Sequence, residues 1–192
     1  VVNTTTGTLT GLSLTARVFS LDNKLLLQKQ QAMDAPSDAV TSGFALDLAS
    51  LFSTNVVLVK LELRNAAGQL LSENLYWLAA NEPLYRQLNK LPAALLSASA
   101  SSRSAQGTVQ VRVQLQNSGT VAALAGKLTL EKAGDGSRIL PAYFSDNYVS
   151  LLPGESREID VEYPASAADG AAKIAIRGWN LSPLAIPVAQ QN

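Results

Sequence analysis

The sequence contains no cysteine, no histidine and a single methionine. Without cysteine there is no disulfide framework, so stability must come from packing. Without histidine or cysteine there is no Ser–His–Asp triad, no Cys–His pair, and no zinc, iron–sulfur or haem site held through either residue. Charged residues are scarce at 16%, and the 15 Lys+Arg balance the 15 Asp+Glu. The balance holds along the chain, with seven acids and six bases through Arg86 and eight and nine after it. Such neutrality argues against nucleic acid or an anionic membrane as the partner. No apolar run approaches the ~20 residues needed to cross a bilayer. No leader-like pattern of basic, apolar and small residues opens the chain. It starts on Val1, directly in strand-like sequence, and reads as a fragment of something longer.

What is present is period-two alternation. Leu12, Leu14, Ala16 and Val18 alternate with Ser13, Thr15 and Arg17. Val57, Val59, Leu61 and Leu63 alternate with Leu58, Lys60, Glu62 and Arg64. Val109 to Leu115 and Ile159 to Tyr163 repeat the pattern. Each run predicts a strand with one dry and one wet face, as in antiparallel sheets. Turn chemistry separates the runs at Leu21-Asp22-Asn23-Lys24, Asn65 to Gly68, Asn117-Ser118-Gly119, Gly134-Asp135-Gly136 and Leu152-Pro153-Gly154-Glu155. Strands at this spacing predict an all-β chain of two tandem immunoglobulin-like antiparallel β-sandwiches. The expected domains are residues 1–82, a short helical linker at 83–91 and a second sandwich at 92–192. One helical turn is expected between Asp47 and Thr54, with Leu48, Leu51 and Phe52 inward. Val1-Val2-Asn3 reads as the end of a strand or as a short one, so the first sandwich is expected to lack its first strand or to be cut just inside the domain.

Carboxylates are the only catalytic acids or bases on offer. Glu158, Asp160 and Glu162 share one strand face about 7 Å apart, within the range that paired glycosidase carboxylates use. A solvated face opposite Ile159, Val161 and Tyr163 explains them as well. Asp135, Gly136, Ser137, Asp146 and Asn147 offer oxygens to calcium without the full ligand series of a loop motif. Turn residues bonding their own backbone account for these. Gly134 and Gly136 lack the Gly-Lys-Ser/Thr and helix of a phosphate loop. No metal and no cofactor is therefore expected. Tyr143, Phe144 and Tyr148 flank Ser145-Asp146-Asn147, and Trp179 follows the core residues Ile174 and Ile176 with outward parity unless a bulge at Gly178 resets it. Aromatic faces beside Asp and Asn suit a sugar ring. The candidate ligand or interdomain contact residues are thus Tyr143, Asp146, Asn147, Tyr148 and Trp179. Tyr76 and Trp77 are assigned to packing. Asn3-Thr4-Thr5 and Asn180-Leu181-Ser182 fit the N-glycosylation pattern. The Ala-rich composition reads as bacterial, with a periplasmic or secreted setting, so both are taken as chance.

Three stretches together resemble a known family. They are Leu61 to Leu78, then Tyr85-Arg86-Gln87-Leu88-Asn89-Lys90-Leu91-Pro92, then Ile139 to Glu155 with Gly178-Trp179-Asn180 closing. This order is similar to the C-terminal immunoglobulin-like domains of glycoside hydrolase family 2, in the branch of β-mannosidases, exo-β-glucosaminidases and endo-β-mannosidases. The resemblance implies an accessory region of a retaining exo-glycosidase. Its two catalytic glutamates would lie on a (β/α)₈ barrel that this sequence does not contain, so no catalytic residue is carried over. The implied partners are the catalytic barrel and N-terminal domains of the same polypeptide, with carbohydrate as a further candidate. The alternatives are a free-standing carbohydrate-binding module and an adhesion sandwich.

Overall fold

A computed structural model describes residues 1–168 and 170–190. The chain forms two compact units, Val1–Lys90 and Leu91–Asn192.

The first unit contains β1 (Val2–Asn3), β2 (Leu9–Ser20), β3 (Leu25–Ala35), β4 (Ala39–Val40), α1 (Ala49–Phe52), β5 (Val57–Arg64) and β6 (Leu70–Leu78). An antiparallel sheet has the order β3-β2-β5-β6, and β1 pairs with β4 in a separate two-stranded ribbon. Val18, Val57 and Val59 form the core, covered by Leu46, Leu48, Leu51 and Phe52 from the segment around α1. The expected inward turn is therefore present. The helical spacing after Glu82 yields a 3₁₀ segment, Glu82–Lys90. It is held to this unit by Tyr85, whose hydroxyl donates to the Trp77 carbonyl at 3.1 Å, and by Gln87. The Gln87 amide donates to Thr54 at 2.9 Å and accepts from the Val56 N–H at 3.2 Å.

The second face of β5 departs from the alternation rule. Lys60 is only 2% exposed and Glu62 is also buried. Charges enter such a face only when paired. Lys60 pairs with Glu73 on β6, and Glu62 is gripped by Arg17 on β2 and by Arg64. Burial alone would raise the Glu62 carboxyl, but the Arg64 and Arg17 guanidiniums outweigh it and hold it below the ordinary glutamate value. Tyr76, assigned to packing by its sequence, is half exposed.

The second unit contains β7 (Leu96–Ala105), β8 (Thr108–Asn117), β9 (Ala123–Lys132), β10 (Tyr143–Phe144), β11 (Val149–Leu151), β12 (Ser156–Pro164), β13 (Ala172–Gly178) and β14 (Leu181–Gln190). One sheet runs β10-β12-β8-β7 and the other β14-β13-β9-β11. They are linked where Val188–Gln190 pairs in parallel with Ala100–Ser102. This is the immunoglobulin arrangement of four strands facing three, with β11 added beside β9. Val111, Val113, Leu115, Ile159, Val161, Ile174 and Ile176 fill the space between. These are the dry positions of the alternating runs, each worth ~1.5–3 kcal/mol when buried. The β7–β8 hairpin turns on Gln106-Gly107, with φ of 51° and 79°, the geometry that matches strand twist in a two-residue loop.

Candidate functional site

The segment from Tyr143 to Tyr148 crosses from one sheet to the other. β10 lies against β12, with Tyr143 opposite Glu162. Ser145 N–H then donates to the Asp160 carbonyl at 2.9 Å, and its hydroxyl accepts from Asp160 N–H at 3.0 Å. Asp146 turns the chain. One carboxylate oxygen accepts from Asn147 N–H at 2.8 Å and the other from the Arg157 guanidinium at 3.0 Å. Burial lowers the pKa of that guanidinium. Asn147 then copies a strand. Its oxygen accepts from the Leu128 N–H at 2.8 Å and its amide donates to the Leu128 carbonyl at 3.1 Å. The same oxygen takes the Tyr148 N–H at 2.9 Å. Tyr148 sits at φ 56°, a conformation that a non-glycine residue holds only when its surroundings impose it. Its ring is 61% exposed, with Lys127 Nζ 5.5 Å from the centroid.

Trp179 and Asn180 form the tight turn between β13 and β14. A register irregularity falls between Ile176 and Gly178, yet Trp179 remains 53% exposed, on the outward side expected from parity. Its N–H donates to the Leu124 carbonyl at 2.9 Å. A Cβ on Gly178 would stand 2.8 Å from that same carbonyl, so only glycine permits the approach. Asn180 is buried and anchors the turn from beneath. Its oxygen accepts from Leu124 N–H at 3.0 Å, and its amide donates to Ala122 and Pro92 at 2.8 and 3.1 Å.

Strand register shows which candidates meet. Val149 pairs with Gly126, and Arg177 pairs with Lys127. Tyr148 and Trp179 therefore lie on opposite flanks of β9, two strand spacings apart across it and offset by two residues along it, with Lys127 on the intervening strand. Tyr143, 68% exposed, belongs to the other sheet. Asp146 and Asn147 place the loop, and the three aromatics project from it and from the neighbouring turn.

The acidic strip also finds partners. Glu158, Asp160 and Glu162 stand in register with Gln114, Arg112 and Gln110. Gln110 donates to Glu162 at 2.9 Å, Arg112 approaches Asp160 and Glu158 at 3.4 and 3.2 Å, and Gln114 donates to Glu158. The strip is a cross-strand ladder beside a shallow trough. The Asp135 carboxylate accepts from Ser137 N–H and hydroxyl, which hold it below the usual range. Among the described residues, no three His, Cys, Asp or Glu side chains converge as metal ligands. Sequence reasoning missed the buried ion pairs of the first unit. Their one signal, opposite charges at Lys60 and Glu73, needs the β5–β6 register to be seen.

Comparison with known proteins fits this architecture. The exo-β-D-glucosaminidase Ig-fold domain matches residues 74–181, more than half of the chain. The mannosidase Ig/CBM-like domain matches residues 1–81. The exo-β-D-glucosaminidase of Streptomyces avermitilis is 26% identical over 98% of this chain and 24% of its own length. The mannosylglycoprotein endo-β-mannosidase of Lilium longiflorum is 30% identical over 65% of this chain and 13% of its own length. The crystal structure of Amycolatopsis orientalis exo-chitosanase superposes with a TM-score of 0.82 at 26% identity, over 97% of this chain and 25% of that one. The chain thus spans about a quarter of the length of the exo-glucosaminidases it matches. It belongs to the exo-β-D-glucosaminidase Ig-fold family, and its two units are immunoglobulin-like domains of glycoside hydrolase family 2.

Proposed function

We propose that this chain is a non-catalytic accessory region of a retaining family 2 glycoside hydrolase, of exo-β-glucosaminidase rather than β-mannosidase type. The observation that carries the reading is coverage. Nearly all of the chain aligns, yet it accounts for about a quarter of the relatives' length and matches two Ig-type domain models. The laterally paired carboxylates on an open sheet face support it, because glycoside hydrolysis needs two acids set around one substrate bond. The proposed role is structural support, with Tyr148 and Trp179 as contacts at the rim of the substrate pocket of the whole enzyme.

The test is hydrolysis of p-nitrophenyl β-D-glucosaminide. The 192-residue chain should give no turnover and the complete gene product should give it. Turnover by the chain alone would overturn the reading, and so would retention of the chain on chitosan beads, which a binding module predicts. In the complete enzyme, Asp146→Ala and Tyr148→Ala should weaken turnover of the substrate. Full activity in both removes the rim from the proposal.

A further inference from the structure

The second unit holds a cleft that shares no residue with the aromatic loop or its neighbouring turn. It lies between the two sheets at the end where β7 turns into β8, with a volume of about 480 Å³, within the range of small-molecule sites. The space exists because β7 brings no large side chain to the core. Its inward positions are Ala98, Ala100, Ser102 and Ser104, alternating with outward Ser101 and Arg103. Ala165 N–H donates to the Gly107 carbonyl at 2.8 Å, which ties the 3₁₀ turn Ala165–Ala167 to the hairpin. Ala168, Gly170, Ala171 and Ala172 continue the wall.

Two hydroxyls line this cleft from core positions. Tyr163 is 6% exposed and Ser102 8%. Tyr163 ends the dry row of Ile159 and Val161, and Ser102 follows buried Ala100. Neither hydroxyl makes a hydrogen bond to another described residue. Among the described residues, no side-chain oxygen is both sealed from solvent and unbonded, so both hydroxyls reach the cleft. Buried hydroxyls are nearly always bonded, and these two find partners only in what enters the cleft. Burial pushes the Tyr163 phenol pKa up, so the group keeps its proton and can donate. Register sets further polar groups beside them. Gln190 stands opposite Ser102 on the parallel rung, and Ser104 and Tyr163 flank Val109 on either side.

We infer that this cleft binds one uncharged sugar ring. A hydroxyl both donates and accepts, so Tyr163, Ser102 and Ser104, with the Gln190 amide, match a ligand whose own groups do both. The alanine walls and Val188 supply apolar contact for ring C–H groups. Among the described residues the lining carries no charge, so an ammonium or carboxylate would give up water without a counter-charge. The site goes beyond the accessory-region reading, and its failure leaves that reading standing.

The experiment titrates the 192-residue chain with methyl β-D-glucopyranoside and follows its amide resonances. Saturable shifts should fall on Ser102, Ser104, Val109, Tyr163 and Ala172. Tyr163→Phe strands no partner within the fold, so its melting temperature should not drop, while the dissociation constant should rise about tenfold. Ser102→Ala should behave in the same way, and it decides if the first variant does not fold. Methyl β-D-glucosaminide, carrying its ammonium at mildly acidic pH, should bind about tenfold more weakly than the glucoside. Absence of saturable shifts, or shifts confined to Tyr148 and Trp179, overturns the site. Unchanged affinity in both variants overturns the part given to the hydroxyls. Equal binding of the glucosaminide overturns the choice of an uncharged ligand. A melting temperature that drops by several degrees in Tyr163→Phe shows its hydroxyl already bonded within the fold, and overturns the proposal too.

Discussion

Asn3, Asn117, Asn147 and Asn180 each hold backbone at a point where a ladder has run out. An Asn side chain carries one acceptor and two donors in nearly the geometry of a peptide. Asn3 donates to Gly7, Ala35 and Pro36, and Asn117 to Val121 and Leu151. Asn3 and Asn180 are buried with their amide nitrogens committed, so the two glycosylation patterns are packing. Replacing Asn180 with Ala strands the Leu124 N–H and the Ala122 and Pro92 carbonyls. It should cost about 3 kcal/mol in urea melts. The buried acid Glu62 gives a pH signature. Its carboxyl is held below the ordinary 4.5 in the folded chain, so the unfolded chain binds the proton more readily. Its stabilisation is complete above pH 4.5 and drains away as pH falls through the lower folded value. Glu62→Gln should flatten that acid limb in thermal melts between pH 5 and the folded pKa.

Among the elements, the two-residue β13–β14 turn is packed closely from beneath. Gly178→Ala drives a methyl into the Leu124 carbonyl and the Leu181 side chain, at 2.8 and 2.6 Å, and should destabilise by about 2 kcal/mol. Gly134→Ala, which meets nothing within 4 Å, is the control in the same calorimetric series. Elements with one dry face were legible, as Val109 to Leu115 and Ile159 to Tyr163 show. β3 was not, because Leu25-Leu26-Leu27-Gln28-Lys29-Gln30-Gln31 carries no alternation and takes its place from β2. β14 was obscured by Pro183 and Pro187, which an edge strand accepts when the missing donors face away from its partner. The site was half legible. The outward direction of Trp179 follows from parity, and the exposure of Tyr148 does not follow from its sequence. The conversion of Asn147 into a strand rung depends on β9 arriving from elsewhere in the sequence.

At the scale of the whole molecule, the two units close their cores differently. The second closes both of its sheets over one continuous core. Residues 91–192 expressed alone should therefore unfold in a single cooperative transition with dispersed amide resonances; a molten spectrum would refute this. The parallel rungs between Ala100–Ser102 and Val188–Gln190 join the unit's first strand to its last. A pull on the two ends of this unit drags β7 and β14 in opposite directions along their common axis. All three rungs then bear the load in shear, where a hairpin would unzip them one by one, so the pairing acts as a mechanical clasp on the fold.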